Sequence, residues 1–184
     1  MPRPVVAPLS PPFSGAVLCG GGSRRMGRDK ALIAVDGRPL AVRVADAVTA
    51  AGASGVTAVG GDLDALRAEG LAGVADADPG AGPLTGIVTA LVHAADDIVF
   101  VAGCDLVMPS SEAIATTVRA LAADPAADVA VPLVCGRRQW MHAAWRRRAD
   151  APLAASFAAG ERAVHAAVAA GGLRVVDVTL DPAA

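Results

Sequence analysis

Short apolar runs recurring between stretches of helical spacing constrain this chain more than any other feature. Residues 16–19, 56–59, 98–102 and 129–133 are almost unbroken apolar segments of four or five residues. A strand with one face in water alternates polar and apolar residues, so a continuous run has to be covered on both faces. Between the runs, apolar residues recur at three- and four-residue spacing, as in Leu40, Val44, Ala47 and Val48. That periodicity predicts helices over 39–51, 62–68, 84–95, 110–122 and 161–170. Pro39 suits a first helical turn, Asp62 and either Ser110 or Ser111 suit N-caps, and Gly171-Gly172 suits a helix stop. Weaker strand signals lie at 71–75 and 138–145, and a last strand is expected at 173–178. Strands alternating with helices indicate an α/β fold with helices on both faces of one sheet. Such sheets bind ligands beyond the carboxyl ends of their strands, here the loops after Cys19, Val59, Ala75, Ala102 and Leu133.

Composition narrows the function. Hydrophobic residues make up 54% of the 184 residues and charged residues 18%, with a net charge of -2. The balance excludes intrinsic disorder and a dedicated nucleic-acid binder, which carries a basic footprint. Cys19, Cys104 and Cys135 are too widely spaced for a structural zinc site or a disulfide framework. No apolar run reaches the ~20 residues of a spanning helix, and none is shaped like a signal peptide. The expectation is a cytoplasmic protein with no membrane partner. Residues 1–14, with five prolines, read as a loose lead before one domain over 15–184.

The most informative segment follows the first strand: Leu18-Cys19-Gly20-Gly21-Gly22-Ser23-Arg24-Arg25-Met26-Gly27-Arg28-Asp29-Lys30. Its glycines permit positive φ and close backbone approach, and successive N–H groups can form an anion-binding concavity. Arg25 and Lys30 add positive charge. Lys30 is the one lysine among 16 cationic side chains. A compact ammonium does not interchange with a guanidinium, which marks Lys30 for a specific task. The segment matches neither the Walker loop nor the G-x-G-x-x-G dinucleotide fingerprint. It reads as a nucleotide phosphate site.

L-x-G-G-x-S-x-R-M-G-x-D-K resembles the signature loop of the molybdenum cofactor guanylyltransferases, with Leu18, Gly20, Gly21, Ser23, Arg25, Met26, Gly27, Asp29 and Lys30 in place. The related cytidylyltransferases usually lack the G-G pair and the D-K ending. Asp36-Gly37-Arg38-Pro39-Leu40, Gly82-Pro83-Leu84-Thr85-Gly86 and the strand ending Cys104-Asp105 continue the similarity over about residues 15–178. The resemblance implies a three-layer Rossmann-like nucleotidyltransferase fold with a mostly parallel central sheet. It implies transfer of GMP from GTP to the phosphate of the molybdenum-pterin cofactor, with release of pyrophosphate. Mg²⁺ is the implied cofactor, and transient contact with molybdoenzymes or cofactor-delivery proteins is implied as well.

Carried onto this sequence, the resemblance assigns catalysis to Arg25, Lys30 and Asp105, with Asp105 holding the metal. Nucleotide binding falls to Leu18, Cys19, Gly20, Gly21, Gly22, Ser23, Lys30, Gly60, Asp76, Asp78 and Asp105. Spacing favours Asp76 over Asp78 as the nucleotide-contacting acid, either at guanine or at a ribose hydroxyl. Three departures stand out. The polar residue that the family often has near Gly60 is missing, since the chain has no Asn; Val107 replaces a proline; and Asp177 is only a faint echo of a second acid near the metal. Arg137, Arg138, Arg146, Arg147 and Arg148 surround Gln139, Trp140, Met141 and His142, a setting for a planar ring bearing a phosphate. Other readings stay open: a cytidylyltransferase or sugar-phosphate nucleotidyltransferase of the same fold, or a non-catalytic GTP-binding partner.

Overall fold

The computed structural model describes residues 11–20 and 29–180. Along the chain run β1 (Phe13–Leu18), β2 (Ala34–Val35), β3 (Arg38–Pro39), α1 (Leu40–Ala50), β4 (Val56–Val59), α2 (Leu63–Ala68) and β5 (Gly73–Val74). There follow α3 (Pro83–His93), β6 (Ile98–Gly103), α4 (Ser111–Ala123), β7 (Val129–Val134), β8 (Arg137–Arg138) and β9 (His142–Arg146). The chain closes with α5 (Asp150–Ala158), α6 (Val164–Ala170) and β10 (Val175–Thr179).

The main sheet has the order β10-β7-β9-β6-β1-β4-β5, with β8 paired to β7. Its pairs are parallel except where β9 and β8 run antiparallel to their neighbours. The expected mostly parallel sheet is therefore present, with β9 inserted between β6 and β7.

The continuous apolar runs have the expected cause. Phe13 and Val17 of β1 and Ile98 and Phe100 of β6 pack into one core with Val44 and Val48 of α1 and Val118 and Leu121 of α4. Their neighbours Ala16, Leu18, Val99 and Val101 face a second core with Leu84, Ile87 and Leu91 of α3, Leu153 of α5 and Val168 of α6. The three layers follow from that division. Gly15 is required by the packing, because a Cβ there would stand 2.4 Å from Val48 Cγ1.

Several expected boundaries shift. β1 begins at Phe13, which is fully buried, so the expected boundary at residue 14 falls inside a strand; residues 1–10 lie outside the described residues. The segment expected as one strand over 138–145 is two strands joined by a turn, with Gln139 N donating to Pro132 O at 2.9 Å. The helix expected from residue 161 starts at Val164. Glu161 instead turns its carboxylate onto the N–H groups of Arg162 and Ala163, at 2.8 and 2.9 Å. Before it lies α5, which no periodic pattern in the sequence marks. Its alanines mark no face, and only Leu153 and Ser156 are buried.

Candidate functional site

The candidate residues gather at one edge of the sheet, where β1, β4, β5 and β6 end and β9 begins. Backbone bonds continue the ladder past the strand ends. Cys19 N and Gly20 N both donate to Val59 O (2.9 and 3.2 Å), Cys104 N donates to Leu18 O (3.1 Å), and Gly60 N donates to Val74 O (2.9 Å). The start of the glycine loop is thus tied to the strand ends on either side.

Close backbone approach explains the glycines here. Gly60 has φ +72, and a Cβ on it would lie 3.2 Å from Gly20 Cα and 3.4 Å from Asp76 Cβ. A Cβ on Gly20 would stand 3.6 Å from Asp76 Oδ2. Gly20, Gly60 and Asp76 therefore meet at one point, although 56 residues of sequence separate the first from the last.

Asp76 is half-buried, and its orientation is set locally: Oδ1 accepts from Asp78 N at 3.3 Å and Oδ2 from Thr85 Oγ1 at 3.5 Å. Thr85, buried at the start of α3, also donates to Gly82 O at 3.0 Å. Asp78 is exposed on the following turn, so of the two candidates Asp76 faces the glycine loop.

Asp29 acts as a connector. Its Oδ1 caps the 3-10 turn Lys30–Leu32 by accepting from Ala31 N at 3.0 Å, and its Oδ2 accepts from Asp62 N at 3.2 Å. The carboxylate ties the base of Lys30 to the turn after Gly60-Gly61. Lys30 is half-exposed and makes no ion pair among the described residues. Gly21, Gly22, Ser23 and Arg25 lie outside the described residues, as do Arg24, Met26, Gly27 and Arg28.

Asp105 lies in the turn two residues beyond the central strand β6 and is exposed, with no hydrogen bond or ion pair among the described residues. Next to it stands His142, the first residue of β9, in register with Ala102. Asp105 Oδ1 and His142 Cε1 lie 3.1 and 3.8 Å from the point a Gly103 Cβ would occupy. Burial holds the imidazole below its ordinary pKa, against the opposing pull of the Asp105 charge, and its Nδ1 is buried without a partner among the described residues. Sequence reasoning placed His142 in a basic patch and missed this neighbourhood, since only the β6–β9 register creates it.

Among the described residues no group of three or more His, Cys, Asp or Glu side chains is arranged to hold a metal ion. A lone unpartnered carboxylate still fits Mg²⁺, which takes one or two carboxylates and completes its shell with phosphate oxygens and water. Asp177 is not available as a second acid. It pairs with Arg138, Oδ1 to Nε at 2.7 Å, and it sits on β10, three strands from β6. Cys19 and Cys104 are buried side by side under the site, while Cys135 is exposed. Contact with the Cys104 thiol and burial push Cys19 far up, so it remains a neutral core side chain.

The arginine patch divides. Arg137 and Arg138 form β8, paired with the carboxyl end of β7, and the Arg138 guanidinium lies 5.7 Å from the Trp140 ring. Because β9 runs antiparallel to β6, Arg146 comes to face Ile98, at the opposite edge of the sheet. There Arg146 pairs with Asp97 and Arg148 with Asp128, both at 2.7 Å. These two arginines are structural.

The model of the MobA-like NTP transferase domain matches residues 15–174. The chain belongs to this family. Over 88 residues it is 43% identical to the molybdenum cofactor guanylyltransferase of Xanthomonas euvesicatoria pv. vesicatoria (strain 85-10), covering 48% of this chain and 43% of that protein. The chain thus spans less than half the length of that relative. Over 171 residues it is 33% identical to the "Probable molybdenum cofactor guanylyltransferase" of Chloroflexus aggregans, covering 89% of this chain and 79% of that protein. The structure of molybdopterin-guanine dinucleotide biosynthesis protein A from Archaeoglobus fulgidus superposes with a TM-score of 0.67 at 21% identity, over 90% of this chain and 83% of that one. That likeness bears on the fold. No helix among the described residues is long and apolar enough to cross a membrane.

Proposed function

We propose that this MobA-like NTP transferase moves GMP from GTP to the terminal phosphate of the molybdenum-pterin cofactor. The observation that carries the reading is the meeting of Gly20, Gly60 and Asp76 beside the exposed Asp105 at one sheet edge. An acceptor phosphate oxygen attacks the α-phosphorus of GTP; the new P–O bond forms as the bond to the β-phosphate oxygen breaks and pyrophosphate leaves. Such displacements depend on alignment and charge neutralisation rather than on a covalent nucleophile.

The glycine loop backbone, Arg25 and the Lys30 ammonium bind the triphosphate. Asp76, fixed by Thr85, accepts hydrogen bonds from guanine or the ribose. Asp105 is the residue that would hold Mg²⁺, which would supply neutralisation of the phosphate charge there. Arg137, which makes no ion pair among the described residues, and the Trp140 ring are the groups of the patch offered to the phosphate-bearing pterin, since Arg138 is held by Asp177. The identities of the relatives support the guanine preference over cytosine.

Calorimetric titration with GTP, CTP and ATP, each with and without Mg²⁺, tests this reading. Magnesium-dependent binding selective for GTP is expected. A preference for CTP would move the protein to a cytidylyl role, and binding of GTP without pyrophosphate release in the presence of the pterin would leave a non-catalytic partner.

A further inference from the structure

Arg43, in the first turn of α1, reaches two irregular segments at once. Nη1 donates to the Val35 carbonyl and to the Asp36 carboxylate, and Nη2 donates to the Val107 carbonyl, all at 3.3 Å. Val35 and Asp36 end the stretch that starts at Asp29 and Lys30 and closes as the β2–β3 hairpin. Val107 lies two residues beyond Asp105, in the bend after β6. The Arg43 side chain is three-quarters buried, 25% exposed. Among the described residues no other hydrogen bond joins the Val107 bend to residues 29–39.

A planar guanidinium fixes the relative orientation of the groups it bridges, which a lysine ammonium does not. We propose that Arg43 is a positioning residue that locks the segment carrying Lys30 to the loop carrying Asp105. It touches neither charged group and acts through the backbone of both segments. The consequence for catalysis rests on the function proposed above; the lock itself does not.

The test therefore has two readouts. In the protein without nucleotide, backbone ¹⁵N order parameters of Leu106, Met108 and Ala34–Val35 are measured for the native chain, Arg43→Met and Arg43→Lys. Both variants should drop these residues from about 0.85 to below about 0.6 while β6 and the body of α1 stay rigid. Affinity for Mg·GTP should fall about tenfold or more, as expected when binding groups lose their alignment. Adding Val107→Pro to Arg43→Met supplies a rescue. Proline fixes φ, and the Val107 N–H has no partner to lose among the described residues. The rescue should return Leu106 and Met108 toward rigidity and recover part of the affinity. Unchanged order parameters in Arg43→Met, or loosening spread evenly over the fold, would overturn the lock. Local loosening in a protein whose native form binds no nucleotide would uphold the lock and overturn the functional reading instead.

Discussion

Asp105 is exposed and unbonded among the described residues, so its charge is available to a ligand rather than committed to the fold. Asp105→Asn should leave the melting temperature unchanged and lower kcat by on the order of 10²-fold or more, the scale of losing one preorganised electrostatic group. Steady-state kinetics with a parallel thermal melt separates the two effects. Gly60 makes the opposite case. At φ +72, with Gly20 Cα 3.2 Å from where a Cβ would be, it has no room for a side chain. Gly60→Ala should cost about 1–2 kcal/mol from the left-handed backbone alone, and it should weaken GTP binding by pushing the loop outward. Urea unfolding and titration would read both. Lys30, Gly60, Asp76 and Asp105 could be singled out as candidates from the sequence, because Lys30 lies in the glycine-rich segment and the other three follow expected strands. The roles of Arg43 and His142 were not legible there, because the Val107 carbonyl and Asp105 that they meet come from elsewhere in the chain. The Arg43–Val107 bond spans 64 positions, and no local pattern reports that distance.

At the scale of elements, the strands buried on both faces wrote themselves into the sequence as apolar runs. β9 left only a weaker signal within 138–145, because His142 and Arg146 bound its apolar residues, and its placement between β6 and β7 is a matter of topology. The helix α5 stayed hidden for want of a hydrophobic face. The joint that holds β7, β9 and β10 together at the edge away from the site is Asp128. Its Oδ1 accepts from Arg148 Nε at 2.7 Å and its Oδ2 from Arg174 N at 2.9 Å, while its carbonyl accepts from Arg146 N at 2.8 Å. Burial alone would raise the carboxyl pKa, but these hydrogen bonds and the Arg148 and Arg146 charges outweigh it and hold the pKa below the usual 3.8. A depressed native pKa means that the stabilisation is complete above the unfolded value and fades as pH falls through the native one. Asp128→Asn should therefore destabilise the protein by about 1.5–3 kcal/mol at pH 7, the scale of a hydrogen bond to a charged group. Urea unfolding at pH 7 and at pH 3 should show the gap narrowing at the lower pH.

Across the whole molecule, the sheet separates two tasks. One edge carries the Arg146 and Arg148 ion pairs and the Asp128 joint; the other carries the glycines together with Asp105 and Lys30, which make no ion pair among the described residues. A net charge of -2 gives no general attraction for anions, so a triphosphate has to be captured by local geometry at that second edge. The arginine patch that looked continuous in sequence is divided between the two edges by a single antiparallel strand, leaving Arg137 and Arg138 on the side of the candidate site. Pyrophosphate release measured with GTP or CTP, with and without the molybdenum-pterin cofactor, is the direct test of guanylyl transfer by this chain. Magnesium-dependent release is expected from GTP only when the pterin is present, and it should be lost in Asp105→Asn. Release from CTP in place of GTP, or none from GTP with the pterin present, would contradict it.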